Sequence, residues 1–158
     1  MSANNDNIPA KDFVPLIREI IKVADEIIEF YQNVKYNRRI CGFLIIKIQV
    51  ARASISNLEI CANEFPESTD FFTPDNSTNL RNFKFVMRKI EEFIRKLQDI
   101  QSYRLFFDPN SIKNEFFGLS KELDNSMELL KFLITIEIKQ PTAKNIDLID
   151  KDIDEMKQ

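Results

Sequence analysis

Between Phe13 and Tyr31 the apolar residues recur at intervals of three and four: Phe13, Leu16, Ile17, Ile20, Ile21, Ala24, Ile27, Ile28 and Tyr31. That spacing predicts a helix with one buried face. Arg18, Glu19, Lys22, Asp25, Glu26 and Glu29 fill the other face. Asp12 is the expected N-cap, and Pro15 fits the first turn. A second helix is predicted over 37–62. Its main stripe is Ile40, Cys41, Leu44, Ile45, Ile48, Ile55 and Leu58, widened by Phe43, Ile46 and Val50. A stripe this wide meets several neighbours. The densest apolar run, Ile40 to Val50, contains Lys47 and Gln49. It falls short of the roughly 20 apolar residues of a spanning helix, so it reads as core.

Residues 63–79 carry two prolines and many turn formers and are expected to be a long loop, pinned by Phe65, Phe71 and Phe72. A third helix is predicted over 78–102. Phe83, Val86, Met87, Ile90, Phe93, Ile94, Leu97 and Ile100 form its apolar side. Arg81, Lys84, Arg88 and Arg95 fall together on the opposite side, bordered by Lys89 and Lys96 and interrupted by Glu91 and Glu92. Phe85 lies among them. A fourth helix starts at Asp108 or Asn110 with Pro109 and carries Ile112, Phe116, Leu119, Leu123, Met127, Leu130 and Ile134. It is expected to end near Lys139, before Pro141. A last, acidic amphipathic segment places Ile146, Ile149, Ile153 and Met156 on one face, with Asn145 as a possible cap.

The expected fold is all-α: an antiparallel up-down-up-down four-helix bundle with an additional C-terminal brace helix. The divisions are a flexible tail over 1–11, the bundle over 12–139 and a linker and brace over 140–158. The final pattern is still running at the last residue, so the chain is expected to lead into a further domain.

Composition removes several function classes. The chain of 158 residues has two glycines, too few for glycine-rich phosphate loops or tight hairpins. It has no histidine, which removes the commonest general base and most zinc sites. No nucleophile–base pair or cofactor motif stands out, so the expectation is a non-enzyme without cofactor or metal. A net charge of −3 argues against nucleic acid as a partner. Cys41 and Cys61 share the second helix, about 30 Å apart by helix rise, too far for a disulfide. Reduced thiols and a polar N-terminus fit a cytoplasmic setting.

The segments "DFVPLIREIIKVADEIIEFYQNVKYNRRICGFL" (12–44) and "SYRLFFDPNSIKNEFFGLSKELDNSMELLKF" (102–132) resemble the N-terminal four-helix bundle of the mixed lineage kinase domain-like pseudokinase. They look closest to the bundles that precede fungal kinase-like domains, within the wider HeLo group that includes fungal cell-death domains. The likeness covers about 12–138. It implies a non-enzymatic signalling or cell-death module that self-associates, binds anionic lipid and perturbs membranes when released from its brace. It also leaves a soluble adaptor reading, in which the bundle binds a partner helix or a kinase-like domain, in cis or in trans, without touching lipid.

From the helical wheel, the candidate lipid or partner residues are Arg38, Arg39, Arg81, Lys84, Phe85, Arg88 and Arg95. Each basic residue near an anionic surface contributes about 1 kcal/mol, enough in number to recruit the domain from cytoplasm to membrane. A solvated helix face making weak ion pairs is the commoner meaning of such a row. Phe85 is expected to pack under the 63–79 loop, with Phe71 or Phe72 as its cover; insertion at a headgroup boundary is the alternative. The candidate brace contacts are Ile146, Ile149, Ile153 and Met156. Asp150, Asp152 and Asp154 read as solubilising acids, and both cysteines as core thiols.

Overall fold

A computed structural model describes residues 8–99, 109–131 and 149–155. Every regular element among them is helical. A 3-10 turn at Ala10–Phe13 leads into α1 (Val14–Gln32). Then come α2 (Arg38–Glu64), α3 (Pro74–Lys96), α4 (Pro109–Leu129) and a helix α5 whose described residues are 149–155. The protein is all-α among the described residues.

The apolar stripes meet in one core. Ile17, Ile20 and Ile27 of α1 pack with Ile40, Leu44, Ile48 and Ile55 of α2. Leu80, Phe83, Met87 and Ile90 of α3 and Ile112, Leu123 and Met127 of α4 complete it, and Ile149 and Ile153 of α5 join it. α1 packs mainly on α2, α3 on α4, and α1 on α3, while α2 touches α3 and α4 more lightly. Gly42 permits a close approach at the α1–α2 turn. A Cβ there would stand 2.9 Å from the Tyr31 hydroxyl, which donates to the Arg38 carbonyl at 3.2 Å.

Several boundaries differ from the sequence reading. α1 begins at Val14 after a 3-10 turn, with no side-chain cap from Asp12. Within the expected tail, Ile8 donates its N–H to the Phe72 carbonyl at 3.0 Å and Ala10 begins the 3-10 turn. The loop is shorter than 63–79, because α2 runs to Glu64 and α3 starts at Pro74. Thr73 is the start signal: its hydroxyl accepts the Asn76 N–H at 3.2 Å, with proline in the first turn behind it. Phe71 and Phe72 pin the loop edge-on to Phe13, at centroid distances of 6.5 and 5.0 Å. Phe65, also expected to pin it, is exposed.

α3 stops at Lys96, where Leu97 and Gln98 form a turn rather than a helix reaching 102. Gln98 explains the stop. Its side-chain oxygen accepts the N–H groups of Lys35 and Tyr36 at 3.2 and 3.1 Å, and its amide donates to the Tyr36 carbonyl at 2.9 Å. The α1–α2 turn is thereby tied to the end of α3. α4 ends at Leu129 rather than near Lys139, closed by a turn in which Lys131 has φ 57°. Ile100, Asp108, Ile134, Lys139, Pro141, Asn145, Ile146 and Met156 lie outside the described residues.

Candidate functional site

The first turn of α2 follows Asn37, which sits in the left-handed region at φ 60° and offers no side-chain cap to that helix. Its amide points the other way and donates to the Leu97 carbonyl at 3.2 Å, while its Oδ1 is buried without a hydrogen-bond partner. The leading N–H groups of a helix have no intrahelical acceptor. Here the acceptor arrives from α5. Asp152 Oδ2 accepts the Ile40 N–H at 2.7 Å, and Asp152 Oδ1 accepts from Arg39 at 2.8 Å. Arg39 also donates to Glu155 at 2.9 Å.

Asp152 is 0% exposed, although its sequence neighbourhood is acidic and polar. The reading of Asp152 as a solubilising acid is therefore corrected. Burial pushes its carboxyl above the ordinary carboxylate value, against the opposing pull of the Ile40 N–H and Arg39. The neighbouring Cys41 thiol is pushed up to about 12, first by burial and then by the Asp152 charge. In this state it is a free, unreactive core thiol. Ile149 and Ile153 enter the core on either side of Asp152. Each such side chain contributes about 2 kcal/mol on burial.

The basic candidates are differently employed. Arg39 is held by Asp152 and Glu155, and Arg38 donates to the Val34 carbonyl at 2.8 Å while lying 4.6 Å over the Tyr31 ring. On α3, Lys84 pairs with Glu19 at 3.0 Å, and Arg88 pairs with Glu26 at 3.4 Å and Glu91 at 3.0 Å. Arg95 pairs with Glu91 at 3.6 Å and lies 4.3 Å over the Phe30 ring. Part of this row is a seam to α1, which supplies Glu19 and Glu26, while Glu91 of α3 itself pairs with Arg88 and Arg95. Arg81 is exposed. Phe85 is not covered by the loop: it is 60% exposed, with Lys89 standing 4.9 Å over its ring. Phe71 and Phe72 are occupied at Phe13 instead.

Two features escaped the sequence reading. Lys47, inside the apolar run, is buried between α2 and α4, where its ammonium donates to Ser120 at 2.7 Å and to both oxygens of Asp124 at 2.9 Å. The other is the open groove between α3 and α4, flanked by exposed Phe85 and Leu129. Lys47 breaks an otherwise apolar stripe, which was the only available signal for a buried partner.

By length and composition α2 would pass for a membrane span, with mean hydropathy 1.2 over its best window, yet 44% of that window is buried in the protein. A wide-striped core helix meets the same criterion. Among the described residues no three His, Cys, Asp or Glu side chains gather as metal ligands. No family model, curated protein or solved structure matches the chain. The likeness to the pseudokinase-associated bundles accordingly rests on the residues quoted for it.

Proposed function

We propose that this chain is a non-enzymatic signalling module, an antiparallel four-helix bundle whose C-terminal segment acts as a releasable brace. The observation that carries the reading is Asp152: a buried carboxylate from α5 completing the first turn of α2. A structural helix could be held by apolar contacts alone. A buried acid that closes another helix's start makes docking specific and sensitive to competition. Release would uncover the core positions facing Ile149 and Ile153 and free Arg39 beside Arg38. The exposed surface then serves self-association or the capture of a partner helix or kinase-like domain, in a cytoplasmic setting.

Engagement of anionic lipid is the second reading. Its support is that undocking frees Arg39 at the head of the most apolar helix. Against it, Lys84, Arg88 and Arg95 already have acidic partners that a lipid headgroup must displace. The test compares the full chain with a chain ending at residue 139. Sedimentation and chemical cross-linking read association, and dye release from phosphatidylserine-containing vesicles reads membrane action. Association that rises on truncation while vesicles stay intact supports the interaction reading. Leakage gained on truncation supports the lipid reading. No change in either rejects the releasable brace.

A further inference from the structure

The groove between α3 and α4 plays no part in the brace. Its volume is about 250 Å³, and its walls are built at helical spacing: Phe85, Val86 and Lys89 from α3, Glu122, Ser126 and Leu129 from α4. Phe85 is 60% exposed and Leu129 56%, the two sides of one apolar rim. Single exposed apolar residues are ordinary, but two large ones flanking the same cleft make a patch.

The charges on the patch are one lysine and one glutamate. Lys89 pairs with Glu122 at 3.3 Å across the groove, and both side chains are nearly half exposed, at 40% and 47%. Such a pair is worth little within one chain and is free to exchange partners. The patch is therefore neutral and self-complementary, unlike the α1–α3 seam with its stacked charges. We infer that it docks a second copy of this chain. A two-fold axis running along the groove sets α3 of one copy over α4 of the other. Lys89 then faces the second copy's glutamate at position 122, Phe85 faces the leucine at position 129, and the same contacts recur on the other side of the axis. This is the isologous logic of a two-fold interface, in which each contact occurs twice. The patch is small, so the association is of the weak, concentration-dependent class. The inference rests on the reading of the chain as a self-associating module and adds to the brace-controlled surface a second one, open while the brace is docked.

Sedimentation velocity on the full chain over a concentration series tests it, with far-UV circular dichroism confirming each variant folded. The wild type is expected to dimerise reversibly, and Phe85→Glu or Leu129→Glu to weaken the dimer by tenfold or more. Lys89→Glu and Glu122→Lys are each expected to weaken it alone. An equimolar mixture of those two variants regains the dimer, because every intermolecular pair is again opposite in charge while each intramolecular pair remains repulsive. A pair acting only within the chain predicts no recovery on mixing. A wild type that stays monomeric, a Phe85→Glu chain that dimerises like the wild type, or a mixture without recovery overturns the inference. The brace-truncation experiment is read separately, so failure here leaves the brace reading standing, and failure there leaves this surface standing.

Discussion

Asp152 accepts the backbone N–H of Ile40 at 2.7 Å, from a residue 112 positions away in the chain. Local capping of α2 is absent, since Asn37 turns its amide to Leu97. The helix start and the C-terminal segment therefore complete each other, with Arg39 gripping the same carboxylate from the side.

This arrangement fixes the sign of one pH response. Docked Asp152 has its carboxyl raised above the ordinary value of 3.8, and released Asp152 returns to that value. The docked state then holds the proton more tightly. Docking gains as pH falls through the docked value, is complete below the free value, and loses that increment as pH rises again. Acidification from pH 7 toward 4 is thus expected to keep α5 in place. The Ile40 amide resonance, followed by nuclear magnetic resonance, should move with the protonation of its acceptor and yet stay apart from the resonance of the truncated chain across that range. Migration to the shift of the truncated chain on acidification would contradict the account.

Lys47 gives a prediction of opposite character. Asp124→Ala leaves a lysine that is 3% exposed with Ser120 as its remaining partner. Breaking a buried pair from one side costs about 3–5 kcal/mol, and here about 2–3 because Asp124 is itself partly exposed. Lys47→Met removes the charge and retains the volume, so it is expected to cost less than about 1 kcal/mol. Urea unfolding of the two variants measures the difference. Equal losses would mean that the ammonium is not confined as described.

Much of the fold was legible because it is periodic. The stripe from Ile17 to Ile27 and the main stripe of α2 follow directly from spacing and are core, while Ile46 of the widening strip is exposed. What failed was whatever depends on a distant partner. Lys47 looked like an interruption, and only the fold puts Asp124 beside it. Asp152 looked like one acid among several, since its partners at the head of α2 are remote in sequence. The basic row of α3 was visible on the wheel, but the acids of α1 that neutralise it were assigned merely to a polar face. Phe85 was expected to lie under a loop, but α3 begins at Pro74, shortening that loop, and its phenylalanines pack on Phe13. Thr73 with Pro74 was a readable start signal, obscured by the turn formers around it.

Asn37 separates two contributions at the α1–α2 turn. Its left-handed backbone is strained for residues with a Cβ, by about 1 kcal/mol, and its amide bond to Leu97 is worth a similar amount. Asn37→Ala keeps the strain and loses the bond, so it is expected to lose about 1 kcal/mol. Asn37→Gly loses the bond but relieves the strain, so it should be about 1 kcal/mol more stable than the alanine variant. Chemical denaturation reads both, and an alanine variant at least as stable as the glycine variant would refute the assignment.

The central claim is that Asp152 holds the C-terminal segment on the start of α2, and hydrogen exchange at the Ile40 amide tests it most directly. In the wild type that N–H is expected to be protected through Asp152. Loss of a capping acceptor costs about 1 kcal/mol, and the bond from Arg39 goes with it, so Asp152→Ala should speed exchange at Ile40 by about tenfold or more. Amides in the centre of α2, such as Ile48, should be unchanged. Ile40 exchanging equally fast in the wild type and in Asp152→Ala would contradict the account.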